Sequence, residues 1–265
     1  MNYQNSYNYL LEKSIYGTKI KNKRTNQNIR YLRGGEMIKI NLKHGLPIPN
    51  NRVYNVKTPL AESAWFFTGD KSIKWFKNYS KIWNKFAKNN KIESAYGFRT
   101  KYNFGTDQLK NVINELKKDI SSRQCVINLW DCNYDLLKLE PAPCPTQFIF
   151  NSDGKSLDMQ IVMRSSDLFV GLPYDIMFFS LICDALSTTL NLENGFLTLF
   201  LAHPHIYEAH IDLIQSDIIH NYIFELPGWS ISQIINSPDK YVNLSNKLFL
   251  EPLEEQLKIY PEVFE

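Results

Sequence analysis

Cys144 stands between Pro143 and Pro145, just ahead of the strand-like run Gln147-Phe148-Ile149-Phe150. Proline fixes φ on both sides, so the thiol projects from a rigid turn. A positioned thiol serves covalent catalysis when a neighbour lowers its pKa or takes its proton. It serves equally as a small structural residue, and the turn alone does not choose between the two. About twenty residues on, Arg164-Ser165-Ser166-Asp167 leads through Gly171-Leu172-Pro173 to Tyr174-Asp175, gathering a cation, hydroxyls and two carboxylates in one short stretch. Taken alone, Arg164 reads as a surface residue or a salt-bridge partner.

The elements that must position these groups can be read from periodicity. Residues 3–15 carry Tyr3, Tyr7, Leu10, Leu11 and Ile15 at helical spacing. Tyr31–Leu42 is strand-like, and Leu60–Phe67 is an apolar helix interrupted by Glu62. Ser72–Phe86 reads as a further helix, and Asp107–Ile120 as another. Strand-like runs follow at 126–130, 147–150 and 157–162, the last two joined by the turn Asn151-Ser152-Asp153-Gly154 into a hairpin. Ile176–Leu190 is an almost wholly apolar helix, Phe196–Ala202 a strand, and His210–Ile219 a final helix. Helices and strands mix without regular alternation, which predicts an α+β fold with a mixed sheet packed against helices.

The chain has 265 residues, is 44% hydrophobic and shows no linker, repeat or low-complexity tract, so a single domain over 1–265 is expected. A net charge of +3 is too small to argue for nucleic acid, and the basic run Lys19–Arg24 reads either as a solvated loop or as a mobile phosphate-binding loop. Cys125, Cys132, Cys144 and Cys183 lack metal-ligand spacing, so no metal site is expected. No signal peptide or membrane-spanning run is evident, which makes a soluble, cytoplasmic protein with free thiols the expectation.

Taken in order, Arg24-Thr25, Glu62-Ser63-Ala64-Trp65 with Gly69-Asp70, Ile82-Trp83, Tyr96-Gly97, Ser122-Arg123, Pro143-Cys144, Gln147-Phe148, Arg164-Ser165-Ser166-Asp167, Gly171-Leu172-Pro173 and His205-Ile206-Tyr207 resemble the thymidylate synthase family. The resemblance covers about Tyr16 to Tyr207. It implies an α+β homodimer, joined through a sheet face, whose active sites borrow an arginine from the other subunit. It also implies 5,10-methylenetetrahydrofolate as one-carbon donor and a pyrimidine nucleoside monophosphate as substrate. In such a reaction a thiolate adds to C6 and makes C5 nucleophilic, which gives Cys144 the nucleophile's role and has Arg164 lower its pKa.

The resemblance places Arg24, Arg164, Ser165 and a partner's Arg123 on the phosphate, His205 and Tyr207 on the sugar hydroxyl, and Gln147 in the nucleotide site. Glu62 becomes a proton-transfer carboxyl and Tyr96 an aid to C5 proton removal, although either reads alone as an ordinary helix or core residue. Ile82, Trp83, Asp167, Gly171 and Tyr174 fall to the folate. Where many members carry two arginines, Gln124 follows Arg123 here.

Three departures bear on the substrate. Members using dUMP carry asparagine at Asp175; a carboxyl there accepts from a cytosine amino group and, protonated, donates to N3. That aspartate resembles the deoxycytidylate hydroxymethylase branch. Histidine follows the cysteine in thymidylate synthases, whereas Pro145 stands here and donates nothing. The chain end, Ile259–Glu265, does not match the short apolar tail that covers folate. The leading expectation is dCMP hydroxymethylation, of the kind DNA-modifying phages need. The alternatives are reductive methylation of dCMP or dUMP, and an inactive homologue binding nucleotide or RNA.

Overall fold

The computed structural model describes residues 3–49, 54–136, 142–214 and 225–248. In chain order it contains α1 (Tyr3–Ile15), β1 (Thr18–Lys21), β2 (Asn28–Tyr31), β3 (Glu36–Asn41), α2 (Lys57–Thr68), α3 (Tyr96–Phe98), α4 (Gln108–Lys118), β4 (Val126–Asn128), β5 (Pro145–Ser152), β6 (Ser156–Met163), β7 (Ser166–Asp167), α5 (Leu172–Leu190), β8 (Glu193–Leu201) and β9 (Pro204–Tyr207). Four short helices follow: α6 (Ile211–Ile214), α7 (Ile231–Asn236), α8 (Pro238–Val242) and α9 (Ser245–Leu248).

The strands form two mixed sheets, ordered β3-β8-β6-β5-β4 and β1-β2-β9-β7. In the larger sheet β6 and β8 run parallel and the other pairs antiparallel. Its inner face is Ile38, Ile40, Phe148, Phe150, Met159, Ile161, Leu197 and Leu199, all essentially buried. Helix α5 lies against that face and is apolar all round, as a helix covered on every side must be. Phe148 touches both Phe179 of α5, at 5.4 Å between ring centroids, and Phe66 of α2, at 6.3 Å. These contacts hold α2 and α5 side by side, and each carries one carboxyl of the candidate site.

Several expectations are corrected. Ser72–Phe86 is not a helix; it contains only a 3₁₀ turn at Phe76–Asn78 among other turns. Ser72 and Ser80 accept backbone N–H groups two residues on, and Asp70 accepts that of Ser72, which competes with a helical ladder. Tyr31–Leu42 divides at a turn, so that β2 and β3 belong to different sheets. The long helix begins at Leu172 rather than Ile176, with Pro173 in its first turn, and Asp175 therefore sits on the helix. Of His210–Ile219, a 3₁₀ turn and α6 occupy Glu208–Ile214; the remainder, like the tail Ile259–Glu265, lies outside the described residues.

Candidate active site

Cys144 is the residue before β5, and its turn is fixed from both directions. Its carbonyl accepts the Arg164 N–H at 2.9 Å, tying it to the end of β6. Its own N–H bonds the Tyr96 hydroxyl. Pro145 has no N–H for the ladder, and the β5–β6 register shifts between Pro145 and Gln147. The bulge leaves the thiol at the margin of the sheet.

Tyr96 reaches it from α3, a single turn that runs into a π-helical turn at Arg99–Asn103. Gly97 permits this approach, because a Cβ there would stand 2.1 Å from the Phe66 carbonyl oxygen. Glu62 on α2 accepts the Trp83 Nε1–H at 3.1 Å. Trp83 in turn meets Tyr96 edge to face at 6.2 Å. Glu62, Trp65, Trp83, Tyr96, Gly97 and Phe178 enclose a small, largely apolar cavity.

The electrostatics follow from that apolar setting. Burial pushes the Glu62 carboxyl up to about 7, against a smaller downward pull from the Trp83 indole. Burial first, then repulsion from Glu62 and Asp167, raises the Asp175 carboxyl well above its ordinary value. Burial, then Cys144, Asp175 and Glu62, raises Tyr96 well above its ordinary value. The Cys144 thiol is pushed up to about 11, mainly by burial and then by Asp175. Arg164 and Arg24 act in the expected, lowering direction, but burial outweighs them, which corrects the expectation of a depressed thiol pKa.

The smaller sheet supplies the polar side. In β9, His205 and Tyr207 meet edge to face at 5.6 Å, and Asp167 of β7 is in register with His205. Tyr207 pairs with Ile29 of β2, and the loop joining β1 and β2 carries Arg24 and brings the Thr25 hydroxyl onto Tyr207. Asp167 accepts the N–H groups of Phe169 and Val170 at 3.0 and 3.1 Å, which shapes the entry into α5. A Cβ on Gly171 would lie 3.7 Å from the Asp167 Cβ and 3.9 Å from Asp175 Oδ2, filling the space in front of both. Tyr174 packs edge to face on Tyr54 at 5.7 Å. Ser165 adjoins Arg164 and is half-buried; Ile82, beside Trp83, packs on the core.

Two expected residues lie apart from the carboxyl cluster. Gln147 faces the outer side of the larger sheet, bonding Asn128 at 2.8 Å, in a groove of about 350 Å³ shared with Trp130, Thr146 and Arg164. Arg123 is exposed, just before the edge strand β4, and its side chain has no partner among the described residues. No role was legible in sequence for Trp130, read only as strand, for Thr25, read only as a motif neighbour of Arg24, or for Tyr54, which falls between the elements read. No group of metal-ligating side chains occurs among the described residues.

The fold therefore brings the Cys144 thiol, the Glu62 and Asp175 carboxyls and the Tyr96 hydroxyl within electrostatic reach of one another, with Arg24 and Arg164 acting on Cys144. A family model described as thymidylate synthase matches residues 2–247. The thymidylate synthase of Buchnera aphidicola subsp. Schizaphis graminum (strain Sg) is 29% identical over 217 residues, which cover 79% of this chain and 81% of the relative. That of Buchnera aphidicola subsp. Acyrthosiphon pisum (strain APS) is 29% identical over 192 residues, 70% of this chain and 72% of the relative.

Proposed function

The chain belongs to the thymidylate synthase family, whose members are one-carbon transferases drawing on 5,10-methylenetetrahydrofolate, and on that premise we propose that it hydroxymethylates C5 of dCMP. The observation that carries the proposal is Asp175, a carboxyl raised well above its ordinary pKa on the first turn of α5, at the position where the uracil-using members carry asparagine. A neutral carboxyl donates to N3 of cytosine through its O–H and accepts from the exocyclic amino group through its other oxygen. Uracil presents the opposite pattern, which the acid meets only with its proton on the other oxygen and the carboxylate cannot meet at O4; a mismatched pair there costs about 1–3 kcal/mol.

In this reading the Cys144 sulfur, as thiolate, bonds to C6 while Asp175 passes its proton to N3, so no charge accumulates on the ring. The donor, when bound, supplies carbon at the formaldehyde oxidation level. Tyr96 and Glu62, the latter balanced near neutrality, serve the departure of the C5 proton. Water then supplies the new hydroxyl, and sulfur leaves C6. Burial makes Cys144 a poor resting nucleophile, so Arg24 and Arg164 are needed to bring the thiolate within reach. Arg24, Arg164 and Ser165 hold the phosphate, His205 and Tyr207 the sugar, and Ile82, Trp83, Asp167, Gly171 and Tyr174 the folate.

We further propose a homodimer through the outer face of the larger sheet. Met37, Phe196 and Phe200 are 57%, 37% and 42% exposed there, beside Val162 and Ile149. Gln147 and Asn128 lie in the same cross-strand row as Met37, Phe200 and Val162. A partner covering that row would bring its Arg123 towards the groove that holds Arg164.

The test is product identity. Incubation with dCMP and methylenetetrahydrofolate should add about 30 mass units with release of tetrahydrofolate, the outcome of capture by water rather than hydride. A gain of about 14 with release of dihydrofolate would replace hydroxymethylation by reductive methylation, the activity for which the similar Buchnera proteins are named. No turnover of dCMP would remove the proposal.

A further inference from the structure

We propose that Trp130 is a positioning residue that presents Arg164 to the substrate phosphate, with the buried Arg99–Asp135 ion pair as its anchor. Arg164 is held on several sides. Its Nε donates to the Pro143 carbonyl at 2.9 Å and its Nη2 to the Ala142 carbonyl at 2.8 Å. Its guanidinium carbon lies 5.7 Å from the centre of the Trp130 ring, within range of a cation–π contact. Nη1 has no protein acceptor among the described residues, which leaves that nitrogen for a ligand oxygen. Trp130 and Arg164 line the same groove.

What fixes the indole is unusual for a partly exposed side chain. Residues on both sides of Trp130 are bound to one buried ion pair. Arg99 Nη1 donates to the Leu129 carbonyl at 2.8 Å, and Asp135 Oδ2 accepts the Asp131 N–H at 2.7 Å. Arg99 and Asp135 grip each other by two bonds of 2.7 and 2.6 Å, their side chains 1% and 0% exposed. From the other direction, the Thr146 carbonyl accepts the N–H groups of Leu129 and Trp130. A buried ion pair repays its desolvation poorly as a stabiliser, and its better-attested service is to fix one geometry among several. Here the geometry fixed is that of the Leu129–Asp131 backbone, hence of the indole, hence of the guanidinium. The same π-helical turn that carries Arg99 follows directly on Tyr96, so the pair also links the Tyr96 segment to the chain entering Cys144.

The inference rests on the reading that the site takes a pyrimidine nucleoside monophosphate, and its test separates the two. Dissociation constants are measured for dCMP and dUMP, and for deoxycytidine and deoxyuridine, with the wild type, Trp130→Leu and Trp130→Phe. Trp130→Leu should weaken both monophosphates by about two- to fivefold, the factor an exposed cation–π contact supplies. It should leave nucleoside binding unchanged, and the kinetic effect should fall on KM rather than kcat. Trp130→Phe, which keeps an aromatic face, should recover most of the loss. In an Arg164→Ala background the Trp130→Leu effect should vanish, since the two act as one unit. An equal loss for nucleosides, no loss for monophosphates, or a loss that persists without Arg164 would overturn the inference. The monophosphate effect supports it whichever base the wild type prefers, so failure of the cytosine reading is seen separately, as preference for dUMP.

Discussion

Replacing Glu62 by glutamine should make the protein more stable while abolishing its activity, and the gain should depend on pH. The carboxyl is raised from its ordinary 4.5 to about 7 because burial disfavours its charged form. In the unfolded chain the same group ionises near 4.5. Below that pH both states hold the proton and the residue is neutral to stability. As pH rises from 4.5 to 7 the unfolded state gains from ionising and the folded state does not. The penalty reaches about 3 kcal/mol at pH 8, with under about 1 kcal/mol present at pH 5, by the linkage of protonation to folding. Glutamine cannot ionise, so its stability relative to wild type should climb by roughly 2 kcal/mol between pH 5 and pH 8. Urea unfolding of both proteins at the two pH values measures this directly, and loss of C5 proton release measures the catalytic cost. A difference in stability that is flat across that range would refute a buried, raised Glu62.

Cys144→Ala should fold normally yet release no tritium from C5-labelled nucleotide; residual exchange would remove the covalent step. Mixing Arg123→Ala with Cys144→Ala subunits should restore activity if each site borrows the partner's arginine, and absence of rescue in confirmed heterodimers would sink the shared-site proposal. Asp184 accepts the Gly228 N–H and the Asn194 Nδ2–H, both at 2.8 Å. Asp184→Ala strands these donors, and should cost about 1–3 kcal/mol by chemical denaturation, with faster amide exchange in α7 and α8.

Where one physical rule dominated, the fold was legible. Tyr3–Ile15 and Gln108–Lys118 are helices because their apolar residues fall on one stripe, and the 145–163 hairpin follows from β-prone runs flanking Asn151–Gly154. Ser72–Phe86 misled because its aromatic residues serve three destinations rather than one face. Ile73 and Phe76 enter the core, Trp75 donates to Asp239 on α8, and Trp83 turns to Glu62. The strands flanking Arg24 and His205 were too short to stand out from loop sequence. The residue types suggested where to look for a site, and the fold brings the thiol, two of the carboxyls and the tyrosine together. The direction of the Cys144 shift was not legible, because it depends on how much water the fold excludes, and no local pattern reports that. Trp130 was read only as strand, since its partner Arg164, just past the end of β6, is far from it in sequence.

The central claim is that the Asp175 carboxyl reads cytosine, and the ratio of kcat/KM for dCMP to that for dUMP tests it most directly, measured in the wild type and in Asp175→Asn. The wild type should favour dCMP by about 5- to 150-fold, the factor a mismatched buried hydrogen-bond pair of about 1–3 kcal/mol produces. The asparagine variant should turn that preference towards dUMP. Wild-type preference for dUMP, or a ratio that asparagine does not move, would contradict it.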